Sequence, residues 1–261
     1  MSAVDTDGGG PSPLLRPSGG PGDVDWGQTT RRGGVGERPY DDFNLAGHVG
    51  EVPAVTARNW RCFARASGWR RDEVATAHQV HGDRILTVGT GGPHDVEADA
   101  VISLTPGVAV GVFTADCVPL LLAAVESGGP VRGVAAVHCG WRGAAAGLAG
   151  LAARRLSTLT GVAPSGMRAW LGASIAACSY EVGGEVAARF AEAHQREAGG
   201  GKYWLDVGSA VVADLLGAGV PADRIERCGL DTFAEPDALY SYRRDGARTG
   251  RMLSFVGWRQ N

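Results

Sequence analysis

PLLLAAVESGGPVRGVAAVHCGWRG, residues 119–143, holds the pattern that decides the fold. Two apolar runs, Pro119–Val125 and Val131–Val137, flank the five residues Glu-Ser-Gly-Gly-Pro. Short apolar runs bounded by turn residues read as buried strands, and a Gly/Pro loop of this length joins them as a hairpin. The second run ends in His138-Cys139-Gly140-Trp141-Arg142-Gly143. Beyond it Leu148, Leu151 and Leu156 recur on one helical face, which predicts a helix over Gly143–Leu159. Strand, strand, reactive turn and helix in succession point to a sheet layered by helices.

Working outward, Ile85–Val88, Ala100–Ile102 and Val108–Phe113 read as strands before the hairpin, and Ala169–Leu171, Ile225–Cys228 and Met252–Val256 after it. Pro53–Ser67 carries Val55, Trp60 and Phe63 at helical spacing, with Gly68 placed to end the helix. Further helices are predicted over Glu185–Glu197 and Val207–Leu216, and a short extended segment over Thr29–Val35. Strands crowd the first half and helices the second, so the expected class is α+β, a single domain with a mixed sheet covered by helices. Residues 1–24 are rich in Gly, Pro, Ser and Asp and are expected to be a disordered tail, leaving 25–261 as the one folded domain.

Composition narrows the functional classes. With 261 residues, 44% hydrophobic and 20% charged, the chain can build a sizeable core. A net charge of -3 argues against broad binding to nucleic acid or anionic membranes. No apolar run approaches the ~18 residues of a membrane span, and no basic stretch leads into an apolar one at the N-terminus. A cytoplasmic location is therefore expected. The five cysteines are widely spaced without a CxxC pair, which speaks for reduced thiols rather than a disulfide framework.

Three segments bring reactive side chains together with glycines: His78-Gln-Val-His81-Gly82-Asp83, Thr114-Ala-Asp116-Cys117-Val-Pro119, and His138 to Gly143. His81, Cys117 and His138 would give zinc two imidazoles and a thiolate, with a fourth position open. The same residues fit a Cys–His hydrolase in which Cys117 is the nucleophile, and the residues alone leave both readings open. Adjacent residues on a strand face opposite ways, so His138 in the site puts Cys139 in the core. His81 is favoured over His78 because Gly82 permits close backbone approach. Arg142, at a predicted helix start, is a candidate for phosphate or carboxylate, and Arg243-Arg244 is a second cationic candidate.

The motifs taken in order resemble the YfiH family, the laccase-domain or polyphenol-oxidase-like proteins that include the peptidoglycan editing factor PgeF. The resemblance rests on Thr30-Arg31, Gly33-Gly34-Val35, Asn44-Leu45, His48-Val49-Gly50, Gln79-Val-His-Gly82, Ala98-Asp99-Ala100, Thr114-Ala-Asp-Cys117-Val-Pro119, His138-Cys-Gly-Trp-Arg-Gly143, Tyr180-Glu-Val-Gly183 and Ser241-Tyr-Arg-Arg244, and runs from about Thr29 to the C-terminus. It implies a layered α/β/β domain and zinc held by His81, Cys117 and His138. It implies a purine nucleoside phosphorylase acting on adenosine, inosine and S-methyl-5'-thioadenosine, with adenosine deaminase activity. Arg31 and Asn44 enter as substrate contacts through their motifs, Arg142 as a phosphate contact at the predicted helix start, and Asp116 as a proton shuttle or an acceptor beside the ligands. The editing-factor reading would instead cleave an amide in a muropeptide precursor carrying a misplaced L-Ser. A non-catalytic zinc protein is a further alternative. Copper can occupy a single two-His, one-Cys site, but the six histidines are too few for a multicopper oxidase, and none forms a His-x-His pair.

Overall fold

The computed structural model describes residues 12–19, 23–125 and 129–259. Fifteen strands form two six-stranded sheets and one three-stranded sheet among these residues. The first large sheet runs Leu14–Leu15, Val24–Thr29, Met252–Trp258, Ala109–Thr114, Val74–His78, Pro93–Glu97. The second runs Ile225–Arg227, Met167–Leu171, Val118–Val125, Val131–Cys139, Ala100–Ser103, Ile85–Val88. Both contain parallel and antiparallel pairs, so the mixed α+β reading holds.

The hairpin explains the layering. Strands Val118–Val125 and Val131–Cys139 pair antiparallel, with Leu120 opposite Val137 and Pro119 opposite His138. Their side chains alternate with period two. Leu120, Leu122, Ala135, Val137 and Cys139 face helices Leu148–Thr160 and Val207–Gly217, meeting Leu148, Ala152, Leu156, Val211 and Leu215. Leu121, Ala123, Val134 and Ala136 face the first sheet and pack on Val110, Val112, Trp26 and Val256. Each large side chain so buried contributes roughly 1.5–3 kcal/mol. The order helix, sheet, sheet matches the expected layers. One addition is helix Pro53–Ser67, which covers the outer face of the first sheet, with Phe63 edge-on to Phe255 at 5.1 Å.

Several expectations are corrected. The helix foreseen over Gly143–Leu159 is two: Trp141–Ala145, then Leu148–Thr160, because Gly147 adopts a left-handed φ of 75° between them. The helix foreseen over Glu185–Glu197 is a single turn, Gly184–Ala187, followed by strand Gln195–Gly199 paired with Lys202–Leu205. Three consecutive glycines at positive φ, Gly199 to Gly201, turn that hairpin where a helix cannot continue. The tail expected to residue 24 falls partly outside the described residues. Within them Leu14–Leu15 pair with Val24–Thr29, and Leu14 is buried.

Candidate metal centre and active-site cleft

The chain crosses between the two large sheets at one end of the sandwich; His81 and Cys117 sit on those crossings, and His138 near the end of a strand beside them. Strand Val74–His78 of the first sheet leads through His81 to Ile85–Val88 of the second. Strand Ala109–Thr114 of the first leads through Cys117 to Val118–Val125 of the second. His138 is the penultimate residue of its strand and lies on the inter-sheet face, while Cys139 points into the helix-side core. Reactive groups on turns held by rigid strands are well placed for function.

These crossings bring the three residues together. One ligand atom from each of His81, Cys117 and His138 lies within 4.8 Å of the others, the single such group of three among the described residues. Cys117 Sγ is 3.9 Å from His81 Nε2, and tetrahedral zinc bonds would set such a pair roughly 3.5 Å apart. The imidazoles of His81 and His138 meet edge-on, 4.7 Å between centroids. Gly140 closes the group: a Cβ there would stand 2.9 Å from His81 Cδ2 and 3.4 Å from Cys117 Sγ. Two imidazoles and a thiolate are a donor set suited to zinc or copper, so the residues fit a bound metal.

Asp99 organises the group, and sequence reasoning gave it no role beyond its place in the Ala98-Asp99-Ala100 motif. Its carboxylate is fully buried. Oδ1 accepts from His138 Nδ1 at 2.8 Å and from the His81 amide at 2.9 Å; Oδ2 accepts from the Val80 and Gly82 amides at 3.2 and 2.7 Å. With a proton held on Nδ1, it is Nε2 of His138 that faces the site and would bind a metal after losing its own proton. Burial pushes the Asp99 carboxyl up, but His138 and the amides outweigh it and hold it below the usual range. Gln79 fastens the same loop, donating to Phe113 O at 2.8 Å and accepting from Phe113 N at 2.7 Å. His81 has φ 61° and Asp116 φ 103°, so non-glycine residues hold left-handed conformations on both crossings. Such positions cluster at functional sites.

The electrostatics favour a thiolate. Burial drives both Cys117 and His138 towards neutrality, but their attraction prevails. Cys117 is lowered to about 6 by His138 and then His81, and His138 is raised to about 9 by Cys117 and then Asp99. Cys139, by contrast, is pushed up by burial. Burial and then the Cys117 charge raise Tyr180 to about 12, with the Arg243 charge opposing.

The group opens into a cleft of about 1590 Å³, larger than the ~300–1,000 Å³ of ordinary small-molecule sites. Phe113, Trp141, Tyr180 and Tyr242 give it aromatic walls, and Arg142, Arg243 and Arg251 line it. His48 also lines it, edge-on to Phe113 at 6.0 Å. Burial lowers its pKa, and the nearby Arg251 and His78 charges add to that. His78 reaches the cleft but not the three-residue group.

The other sequence candidates divide. Arg142 is exposed on the cleft wall, its guanidinium 4.5 Å over the Trp141 ring. Its helix has only five residues, so the helix-start part of the anion expectation lacks an aligned stack of peptide dipoles. Arg31 and Asn44 do not line the cleft. Arg31 is spent on Asp41 and the Pro236 carbonyl and lies 5.0 Å over Tyr240. Asn44 is fully buried; its Oδ1 accepts from the Ala46 and Arg251 amides. Both side chains tie loops together away from the cleft lining. Asp116 is likewise occupied, by Thr232 Oγ1 and the Arg243 amide, each at 2.6 Å, and does not touch a ligand imidazole.

Residues 25–259 match the family described as multi-copper polyphenol oxidoreductase laccase. The chain is 38% identical over 236 residues to a purine nucleoside phosphorylase of Deinococcus radiodurans, covering 88% of this chain and 87% of that one. It is 37% identical over 240 residues to the purine nucleoside phosphorylase YfiH of Escherichia coli, covering 87% and 91%. Among solved structures, YlmD of Geobacillus stearothermophilus superposes with a TM-score of 0.85 at 30% identity, covering 96% of this chain and all of that one. Neisseria meningitidis NMB0706 gives 0.81 at 32%, covering 95% of this chain. No helix among the described residues is long and apolar enough to cross a membrane.

Proposed function

Because the chain belongs to the YfiH family of laccase-domain proteins, we propose that it is a zinc-dependent purine nucleoside phosphorylase with adenosine deaminase activity, taking adenosine, inosine and S-methyl-5'-thioadenosine. The observation that carries this reading is the His81–Cys117–His138 group opening into an aromatic-walled cleft. His81 and His138 present imidazole nitrogens and Cys117 a thiolate; zinc held there would supply Lewis-acid and water-activating chemistry. Phe113, and whatever ring surface of Trp141, Tyr180 and Tyr242 their arginines leave uncovered, offer aromatic surface to a purine. Arg142 brings guanidinium donors to a phosphate. In phosphorolysis a phosphate oxygen bonds to the ribose C1', the bond from C1' to the purine nitrogen breaks, and the base leaves with the electron pair and takes up a proton. In deamination water adds at C6 of the adenine ring and ammonia leaves.

Copper is the alternative metal for this donor set. A single three-ligand group among the described residues favours one metal over a multicopper assembly. The experiment is product analysis by mass spectrometry on zinc-loaded protein, with adenosine and with inosine, with and without phosphate. Free base plus ribose 1-phosphate supports phosphorolysis, and inosine from adenosine supports deamination. Unchanged nucleosides in every arm would sink the reading.

A second reading has its own support. The depressed Cys117 pKa beside His138 is the signature of an activated thiol nucleophile. Hydrolytic activity that survives complete chelation but is lost in Cys117→Ser would favour this Cys–His hydrolase.

A further inference from the structure

We propose that Arg142, Arg243 and Arg251 together form a clamp for a tetrahedral oxyanion, inorganic phosphate, against the open side of the His81–Cys117–His138 group. The three come from separate segments: helix Trp141–Ala145, helix Tyr242–Asp245, and the residue before strand Met252–Trp258. All three line the cleft with the three-residue group. Each guanidinium lies over an aromatic ring of the wall: Arg142 over Trp141, Arg243 over Tyr180 at 4.9 Å, Arg251 over Tyr242 at 5.8 Å. Among the described residues none of the three has a carboxylate partner. The hydrogen bonds they make use a fraction of their donors: Arg243 Nη1 to Glu181 O, and Arg251 Nη1 to Thr249 O and Gly250 O. A guanidinium has five N–H donors in a planar fork, so most stay available to phosphate oxygens. Neighbouring Arg244 shows the contrast, since it pairs with Asp245 and spends its remaining donors on the carbonyls of Thr232, Phe233 and Leu239.

The backbone of the clamp is pinned from below. Asp116, the residue before Cys117, accepts the Arg243 amide, and Asn44 accepts the Arg251 amide at 3.0 Å. Both carriers are buried, so both act as positioning residues. Through Asp116 the turn that sets Cys117 also sets Arg243. The inference rests on the phosphorolysis reading only for the anion's identity.

The test is calorimetric titration of inorganic phosphate into zinc-loaded full-length protein at low salt, without nucleoside. The expected result is one saturable site that weakens as salt rises. Arg243→Gln, at an exposed position, should loosen it about tenfold or more, as loss of a charge-assisted hydrogen-bond pair does. Arg251→Gln should do the same, while Arg61→Gln, on the part of the cleft lined by helix Pro53–Ser67, should leave it unchanged. Asp116→Asn, which tolerates the positive φ and can still accept the Arg243 amide, should bind phosphate like wild type at unchanged zinc content. In turnover the Arg243→Gln defect should fall on KM for phosphate and spare kcat and KM for inosine. Wild-type protein that takes up no phosphate, or Gln variants that bind it as tightly as wild type, would overturn the clamp. Phosphate bound through these arginines without any nucleoside cleavage would leave the clamp standing and remove the phosphorolysis reading instead.

Discussion

Replacing Asp99 by Asn tests how the metal group is held. The aspartate satisfies four donors with two oxygens, and is fully buried. Asparagine keeps one oxygen. Turned towards His138 and His81, it faces its NH2 against the Val80 and Gly82 amides; flipped, it loses His138 and His81. Either way two donors go unpaired, the amides among them partly buried, at up to ~1–3 kcal/mol each, about 2–6 kcal/mol in total. For a domain of this size each kcal/mol lowers Tm by roughly 2–4 °C, so a fall of ~4–24 °C is expected. Loss of the carboxylate behind a ligating imidazole should also weaken metal binding ~10–100-fold. Chelator competition gives the zinc affinity and calorimetry the Tm. A variant with wild-type zinc affinity and a Tm within about 1 °C of wild type would refute the role assigned to this carboxylate.

Other perturbations separate the parts of the site. His81→Ala and His138→Ala should each abolish bound zinc and activity together; stoichiometric zinc in either, by atomic absorption, would show the ligand assignment to be wrong. Cys139→Ala should leave zinc content and turnover near wild type, because that side chain sits in the helix-side core. Gly140→Ala suits the backbone, whose φ and ψ are -65° and 163°, but its methyl would press on His81, so zinc affinity should fall while circular dichroism stays native. In metal-free protein, alkylation of Cys117 by iodoacetamide should rise with a midpoint about pH 6, since the thiolate forms as pH rises through its lowered pKa. A midpoint near that of a free thiol, about 8.5, would deny the ion pair with His138. Zinc should correspondingly be released as pH falls below that range, because protons then compete for the thiolate and the imidazoles.

How far the sequence reveals this molecule follows from what local pattern encodes. The paired strands of residues 119–125 and 131–137 and the helix Pro53–Ser67 repeat apolar residues at a clear period, and they stand where expected; part of the loop between the strands lies outside the described residues. Strand alternation also separates His138 from Cys139 correctly. Strand Pro93–Glu97 carries Pro, His, Asp and Glu on a sheet edge and has no apolar alternation to announce it. The Glu185–Glu197 error has a similar origin: helix-forming residues there are overridden by the glycine hairpin that follows. At the site, the three metal-group residues are legible as reactive side chains on turns. The part Asp99 plays is not, because it depends on which segments the sheets bring alongside. Arg31 and Asn44 illustrate the converse: a shared motif marks them, yet their side chains serve loop architecture.

The inter-sheet crossings carry one more consequence. His81 and Cys117 are 36 residues apart and Cys117 and His138 another 21, and they become neighbours only when both sheets have stacked and the connecting turns have locked. A half-assembled chain can offer an ion one or two of these donors, never the complete trio. Uptake of metal with full affinity would therefore mark the end of maturation, and the rate at which it appeared during refolding would report when the sandwich closes rather than when its individual hairpins form.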